Sequence, residues 1–229
     1  MKLDCAHCPV RDSAACSALS DAEREELSRL GRHRTFARGE TIFRAGDGND
    51  QCATLTSGLL KIAQVDANGS ERILSLVHPA GFAGEMFAPI LNHDVVALTD
   101  SRLCLFRRSD YEAAMERHPA LTNALLRRSA RDLYDARTQI ALDAKRGAGA
   151  KVANLLVALA KAASHSPCHA AARFELPLTR GEMGQLLGLT IETVSRQLTR
   201  FEKDGMIEKS GARGILVKDP ARLTALAGA

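Results

Sequence analysis

The chain has 229 residues, 45% of them hydrophobic and 25% charged, with a formal net charge of +4. That length buries one large core or two smaller ones, and no apolar run reaches the roughly 18 residues that a membrane span needs. Residues Met1-Lys2-Leu3-Asp4 hold no apolar stretch, so a secretory signal is not expected and a cytoplasmic location is.

The first element is a cysteine segment, Cys5-Ala6-His7-Cys8 followed by Cys16. In a compartment that keeps thiols reduced, clustered cysteines point to metal binding or redox switching rather than to structural disulfides. His7 reads as an exposed loop residue rather than a ligand. A thioredoxin-like enzyme is disfavoured, because there C-x-x-C opens a helix after a strand and no βαβ pattern precedes Cys5. No Ser/His/Asp set, Gly-rich phosphate loop or paired-carboxylate site occurs either, so the chain is not expected to be an enzyme.

Ser20 to Leu30 reads as a short capped helix with acidic residues in its first turn. Glycines then punctuate the chain at Gly39, Gly46, Gly58, Gly69, Gly81 and Gly84. The stretches between them alternate apolar and polar, as in Leu60–Val65 and Ile73–Val77. This pattern predicts an antiparallel roll or barrel. Leu103-Cys104-Leu105-Phe106 reads as its last or near-last strand, and Gln51–Leu55 as a strand carrying Cys52. Cys104 can close a set with Cys5, Cys8 and Cys16, although a buried structural cysteine on a strand is ordinary. Four thiolates suit a [4Fe–4S] cluster and equally suit zinc or a thiol switch. His33, His78, His93 and His118 make no usable spacing.

From Pro119 to about Lys145 the pattern is helical and long. Leu126, Leu133 and Ile140 fall seven residues apart, which predicts a coiled-coil-like homodimer contact. The alternative is one helix packed on its own barrel. Asp135 and Asp143 lie near this seam and are positioned to add like-charge repulsion. A short helix over Lys151–Ala163 and a polar connection over Ser164–Ala171 follow, with Cys168 read as incidental.

Thr179-Arg180-Gly181-Glu182 is a capping box opening a helix whose buried face is Met183, Leu186 and Leu187. Gly188 supplies a left-handed turn residue, Thr190 can cap a second helix and Gly205 can end it. Helix, glycine turn, helix is the helix-turn-helix arrangement. On the second helix Glu192, Ser195 and Arg196 share one face, while Val194, Leu198 and Phe201 share the other. Three polar residues alone read equally as a solvated face, but capping box, turn glycine, second helix and a β-wing at Met206–Lys209 and Ile215–Val217 occur in order. Arg pairs with guanine, Glu accepts from cytosine and Ser serves base or phosphate. Arg200 and Lys203 suit backbone phosphates. The C-terminal segment is nearly neutral, so double-stranded DNA binding rests on motif rather than charge.

Roll, long helix and winged helix-turn-helix together resemble the CRP/FNR family of bacterial regulators over essentially the whole chain. The run Thr179-Arg180-Gly181-Glu182 through Gly188-Leu189-Thr190-Ile191-Glu192-Thr193-Val194-Ser195-Arg196 is similar to the FNR branch. The resemblance implies reading of palindromic TTGAT-type half-sites through Glu192, Ser195 and Arg196, and contact with RNA polymerase. C-x2-C-x7-C resembles the FnrN/FixK-like oxygen sensors, which implies [4Fe–4S] ligation by Cys5, Cys8, Cys16 and Cys104. Cys104 is preferred to Cys52 because it occupies the family's position before the segment leading to the long helix. Cyclic nucleotide binding is not expected. Gly84-Glu85 is kept, but Asn92-His93-Asp94-Val95 stands where the family's phosphate-holding Arg and Ser would fall, and an Asp repels a phosphate diester.

The expected architecture is α+β: a cysteine-rich cluster-binding segment over 1–19 and an N-terminal antiparallel β-roll sensor domain, cyclic-nucleotide-binding-like, over 20–118. A dimerisation helix over 119–146 and a C-terminal winged helix-turn-helix DNA-binding domain over 147–229 complete it.

Overall fold

Residues 3–143, 146–164 and 170–228 are described in the structure, a computed structural model. Cys168 and the side chain of Asp143 lie outside the described residues, as does Lys145. The chain divides into two compact units, one ending at Asp135 and one beginning at Ala136.

The first unit opens with the cysteine segment, which closes in a 3-10 turn over Ala15–Ala18. Helix α1 (Asp21–Leu30) follows, with the expected capping box: Ser20 accepts from the Glu23 N–H while the Glu23 carboxylate reaches back to the Ser20 N–H. Eight strands come next: β1 (Gly31–Phe36), β2 (Thr41–Phe43), β3 (Gln51–Ser57), β4 (Leu60–Val65), β5 (Glu71–Val77), β6 (Phe82–Ala83), β7 (Asp94–Ala97) and β8 (Ser101–Arg107). They form two antiparallel sheets, ordered β1-β8-β3-β6 and β2-β7-β4-β5. The alternating pattern therefore predicts the roll correctly, with the Leu103–Phe106 stretch in its last strand.

Period-two alternation decides which faces are dry. Leu103 and Leu105 of β8, with Ala53 and Leu55 of β3, point into the roll and meet Phe36, Leu60 and Val95. The intervening residues Cys104, Phe106, Cys52, Thr54 and Thr56 point outward yet are also buried. Other elements must cover that outer face: Leu3 and Leu19 of the N-terminal segment, Leu27 of α1, and Tyr111 and Met115 of helix α2 (Arg108–Arg117).

Helix α2 was not expected from the sequence, which carried the roll domain to residue 118 without it. No side chain caps its start, so it lacks the local signal that marks α1. After His118 the chain enters the long helix α3, observed over Pro119–Asp143 with proline at its first position. Its corner with α2 is tied back to α1: His118 lies 3.3 Å from Glu23 and 3.4 Å from Glu26, and Arg117 lies 3.3 Å from Glu26. Leu121 and Leu125 of α3 join the buried cluster below α1.

In the second unit, helix α4 (Ala148–Ala162) starts three residues earlier than expected and buries Val152, Leu155, Leu156 and Leu159. Helices α5 (Arg180–Leu187) and α6 (Ile191–Lys203) follow. The wing has three antiparallel strands: β9 (Arg173–Glu175), then β10 (Ile207–Ser210) and β11 (Gly214–Val217) in a hairpin, with β11 in the centre. Strand β9 and the last helix, α7 (Pro220–Ala227), were not read from the sequence. Three residues are too short to show a period, while Asp219 capping α7 with Pro220 at its start is a helix-start signal that the sequence does carry.

Candidate metal centre and nucleic-acid interface

Cys5, Cys8, Cys16 and Cys104 line one recess on the covered outer face of the β1-β8-β3-β6 sheet. The recess encloses about 30 Å³, and its walls include Leu3, Leu27, Thr54, Phe106 and Tyr111. Cys52 does not line it. The strand register explains the difference: on β3, Thr54 pairs with Cys104, whereas Cys52 pairs with Phe106 two residues further along. Cys52 faces α2 instead, near enough to Glu112 and Arg108 to feel both charges.

The thiols are close enough to oppose each other's ionisation. Burial pushes the Cys104 thiol up to about 12, and Cys8, Cys5 and Cys16 add to that shift. Burial, then Cys8 and Cys5, push Cys16 up to about 11, and Cys5 is raised by burial and Cys8. Four bare thiolates are thus disfavoured here, and a cationic centre replacing the protons would offset their repulsion. Among the described residues, no three His, Cys, Asp or Glu side chains converge closely enough to hold a single metal ion.

Two arginines fix the cysteine segment. Arg24 is 7% exposed; its Nε donates to the Cys16 carbonyl at 3.2 Å and its Nη2 to the Leu19 carbonyl at 2.8 Å. Arg11 donates to the Cys5 carbonyl at 3.2 Å. Both guanidiniums share the Asp21 carboxylate, at 2.5 Å and 2.7 Å. Across the sheet, His33 faces Cys104, with Nδ1 3.7 Å from its sulfur. None of these partners was found from the sequence. Arg24 sits on an amphipathic helix where a charged residue reads as solvated, and His33 reaches Cys104 only through strand pairing. His7 is exposed and pairs with Asp4 at 3.0 Å, away from the recess lining.

The seam residues lie on the solvent side of α3. Leu126, Leu133 and Ile140 are 65%, 51% and 71% exposed, and within the first unit α3 packs through Leu121 and Leu125 rather than through Leu126 or Leu133. Asp135 is exposed as well.

The reading helices form as their local signals dictate. Thr179 accepts from the Glu182 N–H at 3.2 Å while Glu182 accepts from the Thr179 N–H at 2.7 Å. Gly188 ends α5 in the left-handed conformation at φ 65°, and Thr190 caps α6 by accepting from the Thr193 N–H. Met183 and Leu187 are buried as expected, but Leu186 is only half-buried; Gly184 takes its place against the turn. A Cβ on Gly184 would stand 2.5 Å from the Leu189 carbonyl oxygen, so only glycine lets the two helices close up.

On α6, Val194, Leu198 and Phe201 are buried, which turns Glu192, Ser195 and Arg196 outward. Arg180 of α5 donates to the Ser195 hydroxyl at 3.4 Å, and Arg196 donates to Thr193 at 3.2 Å. Hydrogen bonds from its own backbone N–H and from Thr190 keep Glu192 below the usual carboxylate range, hence ionised and acceptor-only at neutral pH. Arg200 is exposed and lies 3.6 Å from Asp204. An exposed face with one acceptor, one hydroxyl and several guanidiniums on a braced helix has the chemistry for base edges and phosphates.

Among the described residues no helix is long and apolar enough to cross a membrane. Residues 33–118 match the cyclic nucleotide-binding domain family and residues 150–226 the Crp-like helix-turn-helix domain family. The chain is 34% identical to the transcriptional activator protein FnrL of Cereibacter sphaeroides, over 98% of this chain and 92% of that protein. It is 32% identical to the nitrogen fixation regulation protein FixK of Bradyrhizobium diazoefficiens, over 98% and 94%. The solved structure of FixK2 from Bradyrhizobium japonicum shares the fold, with a TM-score of 0.78 and 24% identity over 87% of this chain and 98% of that one. These relatives are regulators rather than enzymes, and with a matched roll domain followed by a matched reading domain the chain belongs to the CRP/FNR family of DNA-binding transcription regulators.

Proposed function

We propose that this regulator senses oxygen in the cytoplasm through a [4Fe–4S] cluster held by Cys5, Cys8, Cys16 and Cys104, and binds palindromic TTGAT-type sites as a homodimer when oxygen is low. The observation that carries this reading is the single recess lined by those four cysteines and not by Cys52. Zinc needs four donors about 2.3 Å from one point, whereas a cluster takes each thiolate at its own iron. Iron, sulfide and zinc content therefore separates the cluster from the zinc alternative.

When bound, the cluster supplies an oxygen-labile tie between the N-terminal segment and strand β8. The chain's own residues make that tie consequential. Arg11 and Arg24 hold the Cys5 and Cys16 backbone in place, and their positive charge partly offsets the negative charge of the thiolates. Leu3 and Leu19 ride on the same segment and cover the outer sheet face. Exposed Leu126, Leu133 and Ile140 offer an apolar stripe that a second copy covers. In such a dimer two α6 helices stand about one DNA turn apart, matching a palindrome. Relatives named as transcriptional activators support contact with RNA polymerase as part of this reading.

A cyclic nucleotide is not the effector in this reading. Glu85 is engaged by the Asn92 N–H at 3.0 Å and by His93 Nδ1 at 2.9 Å, and Asp94 accepts from the Ala45 N–H. A phosphate there would meet two carboxylates.

The test is anaerobic purification with iron, sulfide and zinc measured beside the visible spectrum. About four iron and four sulfide per chain are expected, with a brown absorbance lost in air, absent in Cys104→Ala and kept in Cys52→Ala. Colourless, iron-free protein that binds the palindrome in air overturns the reading, and zinc in its place establishes the zinc alternative.

A further inference from the structure

Ala80 is one of two non-glycine residues with positive φ among the described residues, at 70°. An L-residue there is strained and persists only where its surroundings hold it. Its surroundings come from two directions. Val10 and Ala14 of the cysteine segment form a buried cluster with Ala80, and Cys8 and Cys16 pack against the same cluster. From the other side Arg128 of α3 donates to the Ala80 carbonyl at 3.1 Å. The turn is also pinned to the roll through backbone, by Ala80 N–H to the Leu55 carbonyl at 2.8 Å and Leu55 N–H to the Gly81 carbonyl at 2.9 Å.

Arg128 stands two residues beyond Leu126 and five before Leu133, and Asp132 lies 3.5 Å from it one turn on. We propose that Arg128 is a positioning residue that couples the cysteine segment to the dimer seam: packing on Ala80 holds the strained turn, and the turn's carbonyl anchors the packed side of α3, shared with Leu121 and Leu125, which sets how the opposite side with Leu126 and Leu133 is presented. This inference rests on the proposed function, because it gives the route by which cluster occupancy reaches the dimer. When the cysteine segment leaves Ala80, the strained backbone relaxes and its carbonyl turns from the guanidinium. A guanidinium suits the role because its donors are rigid and always charged.

The test measures the dimer dissociation constant by sedimentation, with and without the cluster, in wild type, Arg128→Met, Arg128→Lys and Ala80→Gly. Iron content and far-UV circular dichroism are taken on each. Arg128→Met is expected to keep its iron and fold and to weaken the cluster-loaded dimer about tenfold, the scale of one charge-assisted hydrogen bond. The cluster-free dimer stays as in wild type, so the ratio between the two states shrinks, and Arg128→Lys recovers part of it. Ala80→Gly shrinks the ratio from the opposite side: glycine keeps the turn without the cysteine segment, so the cluster-free dimer tightens. An unchanged ratio in either Arg128→Met or Ala80→Gly overturns the inference, and so does equal weakening of both states, which marks a merely structural contact. Folded Arg128→Met that takes up no iron overturns it too, since Arg128 then serves cluster retention. A wild-type dimer indifferent to iron overturns the proposed function itself, before any variant is made.

Discussion

His33 of β1 and Cys104 of β8 are direct cross-strand partners, with His33 Nδ1 3.7 Å from the Cys104 sulfur. The other ring nitrogen accepts from the Asp4 N–H at 3.4 Å, and in the tautomer that makes this bond Nδ1 carries the proton beside the sulfur. Burial and the Arg102 charge lower the His33 pKa, so the ring is neutral at neutral pH. One imidazole thereby links the backbone beside Cys5 to Cys104, the two halves of the proposed ligand set.

A donor on a ligand sulfur draws electron density from it and makes the centre harder to oxidise. His33→Phe is expected to keep its iron but to bleach in air about three- to tenfold faster, the scale of one lost hydrogen bond. His33→Gln, which retains an N–H donor, recovers part of the difference. Stopped-flow absorbance after mixing with aerated buffer measures it. Equal rates in all three would show that the imidazole leaves the sulfur's chemistry untouched.

Arg24→Met removes a buried donor and leaves the Cys16 and Leu19 carbonyls without their guanidinium. Loss of such partners costs about 1–3 kcal/mol. Iron per chain after anaerobic purification is expected to fall below half of wild type, and urea unfolding of the cluster-free protein to shift by that amount. Asp21→Asn is expected to lose less, because that carboxylate is largely exposed and screened.

Cys52 gives a pH signature separate from the recess. Its thiol is raised to about 12 by burial, with Glu112 adding to it, from an ordinary value of 9.0. Above pH 9 the unfolded chain has released this proton while the folded chain keeps it, so the unfolded state binds fewer protons and stability falls as pH rises. The slope from one such group approaches about 1.4 kcal/mol per pH unit. Cys52→Ala is therefore expected to flatten the alkaline limb of the cluster-free protein by up to that slope, and to change nothing in the pH dependence below pH 8. Urea titrations between pH 7 and 11 decide it; parallel curves for the two proteins would show that Cys52 ionises alike folded and unfolded.

At the reading end, Arg196 and Arg200 are expected to fail differently. Arg196→Ala should cost about 1–3 kcal/mol at one base position and relax specificity there. Arg200→Ala should weaken all sequences alike and reduce the salt slope by about one. Fluorescence anisotropy on wild-type and single-mismatch palindromes over a salt series separates the two. Gly184→Ala is expected to lose both affinity and about 1–3 kcal/mol of stability through overpacking against Leu189.

The features legible in the sequence are those whose cause lies within about one helical turn or one strand repeat. Ser20 and Thr179 cap helices through the glutamate three residues on, Gly188 turns the chain by its own conformational freedom, and Val194, Leu198 and Phe201 mark the buried side of α6 by spacing alone. The seven-residue stripe from Leu126 to Ile140 is read from spacing in the same way, and its three residues are exposed. Tertiary structure decided what spacing cannot carry. Cys52 and Cys104 are both buried on the same outer sheet face, and only the β3-β8 register and the path of the N-terminal segment place one among the other cysteines and the other against α2. Arg24, His33 and Arg128 do their work through carbonyls and a sulfur far along the chain from the residues whose behaviour they set, or through a pairing that only folding creates. Periodicity reports which side of an element is dry; it does not report which other element arrives to make it so.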